Sequence, residues 1–97
     1  MPEAGKFKII YKRRFEKDYA LCVRRGYRIG ELDAVIKLLE AGLPLPGSLR
    51  DHALIGDFNG CRELHIRSDW LLIYRRNDEC LELVMLRTGT HSDLFKK

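Results

Sequence analysis

The sequence predicts an α+β fold of order β-α-α-β-β-β, in which one antiparallel sheet carries a helical hairpin on one face. Two patterns support this prediction. Residues 13–42 repeat apolar side chains with the period of an α-helix, whereas residues 61–88 follow the alternation of β-strands. Leu43-Pro44-Leu45-Pro46-Gly47 separates the two halves, because proline cannot continue a helix. With 97 residues, the chain is expected to form a single domain over residues 1–97.

The first half of the chain predicts a short strand and two helices. The strand is indicated by the alternation of lysines with Phe7, Ile9 and Tyr11. The first helix, over residues 13–25, ends at Gly26 and has an apolar face of Phe15, Tyr19 and Cys22. The second helix ends near Gly42 and has an apolar stripe of Leu32, Val35, Ile36 and Leu39.

The second half predicts a long loop up to Gly60 and then three strands. Long loops in small domains are typically functional or mobile. The strands are predicted over residues 61–67, 70–75 and 81–88, with a turn at Asn77-Asp78. A final helical turn is predicted to begin after Thr90, which acts as its cap.

The sequence predicts a cytoplasmic protein. Hydrophobic residues make up 45% and charged residues 33% of the chain, as in ordinary globular proteins. No apolar run approaches the length of a membrane span, and Met1–Lys6 lacks the apolar core of a signal peptide. Three widely spaced cysteines, Cys22, Cys61 and Cys80, argue against a disulfide framework or a zinc knuckle.

Charge is unevenly distributed along the chain. The net charge is +4, and residues 1–50 hold 11 Lys and Arg against 6 Asp and Glu. The remaining residues hold 7 against 8, so the whole positive excess lies in the first half. A basic half favours a polyanionic partner such as RNA, or an acidic protein.

The residues that can carry chemistry gather in the second half. Strand alternation places Leu64 and Ile66 towards the core, and Glu63 and His65 together on the opposite face. A carboxylate beside an imidazole is not what core packing needs. Antiparallel pairing can bring the other polar residues of this half to the same surface, namely His52, Asp69, Arg87 and His91.

Such a group suits cleavage of RNA by its own 2′-hydroxyl. The reaction needs a base, an acid and cations that stabilise the charged transition state. Imidazole, with an ordinary pKa of about 6.5, serves as either acid or base near neutral pH. We expect no cofactor and no metal, because the nucleophile belongs to the substrate.

Structural interpretations of the same residues remain open at this stage. His52 can be a solvated loop residue, His65 a structural strand residue, and His91 part of a helix cap. Arg87 can pair on the surface with Glu82 or Asp93. Histidines and carboxylates are also zinc ligands, but the sequence contains no HxxxH or HxH spacing.

Three segments resemble YafQ-type toxins of the RelE/ParE superfamily. The loop Leu43-Pro44-Leu45-Pro46 followed by Arg50-Asp51-His52-Ala53-Leu54 is similar to the loop that precedes their catalytic sheet. Gly60-Cys61-Arg62-Glu63-Leu64-His65-Ile66 with Asp69-Trp70 is similar to their central hairpin. Arg87-Thr88-Gly89-Thr90-His91-Ser92-Asp93-Leu94-Phe95 is similar to their C-terminal signature. The resemblance covers roughly residues 7–95.

The resemblance implies a ribosome-dependent mRNA endonuclease that a co-expressed antitoxin holds inactive. Its partners would be that antitoxin, the ribosome and mRNA. In this family the matching active-site residues are His52, Glu63, His65, Asp69 and His91. Arg87 would contact a phosphate, and Phe95 would stack on an unstacked base. His91 is the first choice for an acid or base that works with His65 or Asp69.

The chain departs from its relatives at a few positions. Glu63 is one methylene longer than the aspartate of some relatives, Cys61 replaces a common aromatic residue, and Ser68 a common proline. Two other functions stay open. ParE-type members of the superfamily bind DNA gyrase without nuclease chemistry, and a degenerate member would only bind its antitoxin. A gyrase binder, however, has no need for three clustered histidines.

Overall fold

The computed structural model describes residues 7–95, which form a five-stranded sheet and three α-helices. The elements are β1 (Lys8–Tyr11), α1 (Arg13–Arg24), α2 (Ile29–Ala41), β2 (His52–Ala53), β3 (Arg62–Arg67), β4 (Trp70–Asn77), β5 (Glu82–Gly89) and α3 (His91–Leu94). Met1–Lys6, for which the sequence predicts no signal peptide, lies outside the described residues. Within the described part, no helix is both long and apolar enough to cross a membrane.

The sheet has the order β1-β5-β4-β3-β2. The central strands β3, β4 and β5 pair antiparallel, as does β2 with β3. β1, however, runs parallel to β5, so the prediction of a wholly antiparallel sheet is wrong at this edge. A parallel pair needs a long connection between its strands, and here the connection is the rest of the domain. The α+β class is confirmed, and so is the predicted element order, except that the short strand β2 lies in the stretch that was predicted to be a loop.

The main core lies between the sheet and the α1–α2 hairpin. Phe15 and Cys22 of α1 are buried, and α2 buries the whole predicted stripe of Leu32, Val35, Ile36 and Leu39. These side chains meet the sheet face formed by Leu64, Trp70, Leu72, Tyr74, Leu83 and Met85. Removing this apolar surface from water contributes roughly 25 cal/mol per Å² and fixes the hairpin on the sheet.

The opposite face of the sheet is partly covered by a second, smaller apolar cluster. Cys61, Leu71, Ile73 and Leu94 are buried there, with Leu54, Phe58, Leu86 and Phe95 packed around them. Leu94 belongs to α3, so this cluster attaches the C-terminal helix to the sheet. The polar residues of the face lie beside this cluster.

A bulge in β5 decides which way Arg87 points. Tyr74 pairs with Met85 and Ile73 pairs with Arg87, so Leu86 is an extra residue in the strand. Without the bulge, Arg87 would follow Leu83 and Met85 into the main core. With it, Arg87 shares a row with Ile73 and Glu63 on the opposite face.

Gly89 connects β5 to α3 at a position that has no room for a side chain. Its φ is +152°, and a Cβ at this position would lie 2.8 Å from Oδ2 of Asp93. That oxygen also accepts the Thr90 backbone N–H at 2.9 Å, in a capping box that confirms Thr90 as the helix cap. The start of α3 therefore depends on a residue without a side chain.

We predict that Gly89→Ala displaces α3 and lowers the free energy of unfolding by about 1–3 kcal/mol. Thermal or urea unfolding measures the change. Gly30→Ala is the matched control, because nothing lies within 4 Å of its added methyl and the residue is helical. That control should be neutral or stabilise by roughly 0.5–1 kcal/mol. Equal stability of the two variants would contradict the close contact at Gly89.

Candidate active site

His52 is placed by a strained loop that ends in β2. Arg50 adopts a left-handed conformation with φ of +56°, which is uncommon for a residue with a side chain. Its carbonyl oxygen lies 2.7 Å from Nδ1 of His52. Nδ1 therefore donates to this carbonyl, which leaves Nε2 as the nitrogen that faces the site.

Asp51 anchors the same loop to the sheet. Its carboxylate accepts from the Tyr74 hydroxyl at 2.5 Å and from Nε of Arg62 at 3.0 Å. Burial, and then the neighbouring carboxylate, raise the pKa of Tyr74, which stays a hydroxyl donor at neutral pH. The residue before His52 is thus tied to both β3 and β4.

Glu63 lies at the centre of the site and is only 5% exposed. Its Oε1 is 3.1 Å from Nε2 of His52 and 3.7 Å from Nε2 of His65. The strand register explains the first contact, because His52 and Glu63 are directly paired across β2 and β3. Among residues 7–95, these two imidazoles are the only ion-pair partners of the carboxylate.

Some polar atoms of His52, Glu63 and His65 lack a complementary hydrogen-bond partner within the described residues. With Nδ1 of His52 donating to Arg50, a neutral ring would turn a lone pair towards Oε1 of Glu63. Two acceptors at 3.1 Å would repel each other. Nδ1 of His65 is buried and has no hydrogen-bond partner within the described chain, a costly state that is typical of functional sites.

His91 is oriented by Asp69 at the other side of the site. Oδ1 of Asp69 accepts the His91 backbone N–H at 2.8 Å and lies 2.6 Å from ring Nδ1. These two contacts, the backbone one first, hold the pKa of Asp69 below its ordinary value, so its carboxylate is ionised at neutral pH. Because Nδ1 is engaged, Nε2 of His91 is the atom free for proton transfer.

The three imidazoles form one continuous line. The ring centroids of His52 and His65 are 6.2 Å apart, and those of His65 and His91 are 5.9 Å apart. The Phe95 ring continues the line, 6.4 Å from His91, and packs edge-on against Phe58. His65 and His91 are therefore close enough to touch one nucleotide. The structure therefore brings together His52, Glu63, His65, Asp69, His91 and Phe95.

Arg87 is not free at the surface. Its Nε and Nη2 bind the two carboxylate oxygens of Asp18 in α1, at 2.6 and 3.2 Å. The alternative that Arg87 pairs with Glu82 or Asp93 is therefore wrong. Asp93 instead binds Arg25, which directly follows α1, at 2.7 Å. The sequence did not indicate either partner, because each lies almost 70 residues away along the chain.

The family is decided by comparison with known proteins. A family model described as a bacterial toxin of type II toxin-antitoxin system, YafQ, matches residues 7–96. The chain belongs to this family. It is 39% identical over 88 residues to the mRNA interferase toxin YafQ of Escherichia coli K12, covering 90% of this chain and 94% of that protein.

Solved structures of similar proteins have the same fold. The E. coli DinJ-YafQ toxin-antitoxin complex matches with a TM-score of 0.85 and 37% identity, covering 93% of this chain and 98% of that one. A metal-bound toxin from Helicobacter pylori matches with a TM-score of 0.85 and 32% identity, covering 92% and 99%. This YafQ-family chain thus shares both sequence and architecture with its relatives.

We predict that Asp51→Ala lowers the free energy of unfolding, because Asp51 anchors the loop that carries His52. The change leaves the Tyr74 hydroxyl buried without its acceptor, which costs about 1–3 kcal/mol in the free energy of unfolding. Urea denaturation measures this loss. Asp57→Ala in the same loop is the control, since Asp57 is exposed, and it should unfold like the wild type. Similar stability of both variants would contradict the anchoring role of Asp51.

We predict that the attachment of α3 weakens in acid. Arg25, and then the Thr90 capping contacts, hold the pKa of Asp93 well below its usual range. An aspartate with a lowered pKa stabilises the fold above its ordinary value of 3.8 and loses this effect as pH falls below it. The stability difference between wild type and Asp93→Asn should therefore be full at pH 7 and shrink towards pH 2. Urea unfolding across this range measures it, and a constant difference would contradict the ionised pair.

Proposed function

We propose that this chain is an endoribonuclease that cleaves mRNA on the ribosome by metal-independent acid–base catalysis. The observation that carries the proposal is the row of three imidazoles, with neighbouring rings about 6 Å apart, in which Glu63 lies between His52 and His65 and Asp69 lies beside His91. Membership of a toxin family and similarity to an mRNA interferase of E. coli support the same activity.

The reaction would use the substrate's own 2′-hydroxyl. A base removes the hydroxyl proton, the 2′-oxygen attacks the adjacent phosphorus, and the bond from phosphorus to the 5′-oxygen breaks. An acid protonates the leaving 5′-oxygen. The products are a 2′,3′-cyclic phosphate and a 5′-hydroxyl end. Each positioned proton-transfer group typically contributes ~10²–10⁴-fold to the rate.

The two sides of the site would divide these proton transfers. His91 would transfer one proton through Nε2, because its Nδ1 is bound to Asp69. His65 and Glu63 would transfer the other proton, and His52 would assist them, because its ring lies against the same carboxylate. In this arrangement Asp69 is a positioning residue, as the carboxylate behind a catalytic histidine is in other enzymes.

Arg87 and Phe95 would bind the substrate. The Asp18 pair occupies Nε and Nη2 of Arg87, which leaves Nη1 to contact a phosphate. Arg87 shares a strand row with Glu63, and Ile73 lies between them. Two strand spacings therefore separate Arg87 from Glu63, which is roughly 10 Å along the row. An arginine side chain together with one phosphate spans about this distance. The partly buried Phe95 ring, next to His91, would stack on an unstacked base.

The proposal includes partners and a place in the cell. A cognate antitoxin would hold the toxin inactive, since the chain resembles the toxin of the DinJ-YafQ complex. The ribosome would present the mRNA, so the protein would act in the cytoplasm. The excess of positive charge in residues 1–50 suits contact with RNA or with an acidic antitoxin segment.

We predict that His91→Ala or His65→Ala each lowers cleavage by ~10²–10⁴-fold and relieves growth arrest on expression, with the fold intact. Mapping of mRNA 5′ ends on translating ribosomes, with and without each variant, measures the cleavage. Cys80→Ser is the control, because Cys80 is exposed in the β4–β5 turn and belongs to no part of the site. Undiminished toxicity of both histidine variants would favour a gyrase-binding or other non-nucleolytic toxin.

We predict that an mRNA with a single 2′-deoxynucleotide at the cleavage position is not cut there. The internal nucleophile is missing, whereas a metal-activated water would still hydrolyse the bond. Primer extension on ribosome-bound message measures cleavage at the modified and neighbouring positions. A 2′-deoxynucleotide two positions away is the matched control and should leave cleavage unchanged. Cutting at the deoxy position would rule out the proposed mechanism.

A further inference from the structure

We infer that the groove beside His91 binds an mRNA nucleotide that adjoins the cleavage position. This inference rests on the proposed nuclease function and adds a substrate contact to the same site. The groove measures about 700 Å³ and lies between the turn that joins α1 to α2 and the turn that joins β3 to β4. Its lining includes Tyr27, Arg28, Arg67, Asp69 and Trp70.

Asp69 makes this groove continuous with the active site. Its Oδ1 lies 2.6 Å from Nδ1 of His91, and the same residue forms part of the groove wall. In the proposed function, one base near the scissile phosphate stacks on Phe95, on the far end of the row of rings. The groove is therefore available to a neighbouring nucleotide of the same strand.

The size and the charge of the groove suit a nucleotide. Ligand sites in proteins typically measure about 300–1,000 Å³. Arg28 and Arg67 are both exposed and bring two positive charges to the lining. The acidic residue of the lining, Asp69, is bound to His91. Within residues 7–95, no carboxylate pairs with Arg28, whereas Glu31 pairs with Arg67.

Tyr27 gives the groove an ordered aromatic ring. Its centroid lies 4.9 Å from that of Trp70, in an edge-on contact that fixes the orientation of the Tyr27 ring. Trp70 is itself held in place, because it is only 4% exposed and its indole N–H donates to Oγ1 of Thr88 at 3.0 Å. The Tyr27 side chain is half-buried, so part of its ring faces the groove. A ring that is already ordered stacks on a base with little further loss of entropy.

Arg67 is oriented by a carboxylate of α2. Its Nε donates to Oε1 of Glu31 at 2.8 Å, and its Nη2 donates to Oε2 at 2.5 Å. This contact at two points leaves Nη1 to bind a phosphate oxygen, and it fixes the plane of the guanidinium. The groove thus combines an aromatic ring for a base with guanidinium groups for a phosphate, as single-stranded RNA sites do. Because every base has a π-face, such a subsite adds affinity more than base preference.

The binding of oligonucleotides that cannot be cleaved tests the groove directly. The full chain, purified without its antitoxin, is titrated with a 2′-deoxy dinucleotide and with trinucleotides that add one residue at the 5′ or the 3′ end. We expect one trinucleotide to bind about tenfold more tightly than the dinucleotide. Tyr27→Ala should abolish this gain, whereas Tyr27→Phe, which keeps the ring, should retain it.

The affinity for the dinucleotide is the internal control of this experiment. It should be the same in the wild type, Tyr27→Ala and Tyr27→Phe, which shows that the fold and the catalytic row are intact. A gain of the same size in Tyr27→Ala and in the wild type overturns the inference. So does a wild type that binds both trinucleotides no better than the dinucleotide.

The contact between Arg28 and a phosphate is tested by the salt dependence of the same binding. Each phosphate contact to a single strand contributes about 0.7 to the slope of log affinity against log salt concentration. Arg28→Gln should lower the slope for the tighter trinucleotide by about 0.7 and leave the slope for the dinucleotide unchanged. Arg24→Gln is the matched control, because Arg24 is exposed on α1 and does not line the groove. An unchanged slope in Arg28→Gln, or an equal change in Arg24→Gln, overturns this contact.

Failure of the inference and failure of the nuclease function give different results. If the third nucleotide adds no affinity while the wild type still cleaves mRNA on ribosomes, only the assignment of the groove fails. If the wild type cleaves no mRNA, the nuclease function fails. In that case the gain from the third nucleotide, and its loss in Tyr27→Ala, still decide whether the groove binds a nucleotide.

Discussion

The site depends on one buried carboxylate. Glu63 is almost inaccessible to solvent, yet within residues 7–95 its ion-pair partners are the imidazoles of His52 and His65, and no lysine or arginine pairs with it. A buried carboxylate without a partner is strongly destabilising, so the fold needs the two imidazoles beside Glu63. This constraint keeps His52 and His65 against the same oxygen.

Around Glu63, other carboxylates fix the elements that carry the remaining functional groups. Asp51 ties the His52 loop to the sheet, Asp69 orients His91, and Asp93 attaches α3 to Arg25 at the end of α1. Asp18 holds Arg87 in the same way. The scaffold therefore places these side chains by pairwise electrostatic contacts, while the two apolar clusters position the strands and helices.

Much of this arrangement was predictable from the sequence, because local patterns determine it. Alternation alone placed Glu63 and His65 on the face opposite Leu64, and Thr90 was recognisable as a helix cap. What could not be predicted depends on pairing between distant segments. The parallel direction of β1, the bulge at Leu86 and the Asp18 partner of Arg87 leave no local signal. Asp51 was overlooked as an anchor, although its position directly before His52 was a usable indication.

The central claim is that three imidazoles share one phosphate, and it can be measured on the histidine rings themselves. Titration of the ¹⁵N-labelled, metal-free toxin with a 2′-deoxy dinucleotide, followed by NMR of the ring nitrogens, gives one binding curve for each histidine. We expect the signals of His52, His65 and His91 to shift together with a single affinity. Movement of one histidine alone, or of three with unrelated affinities, would contradict a shared phosphate site.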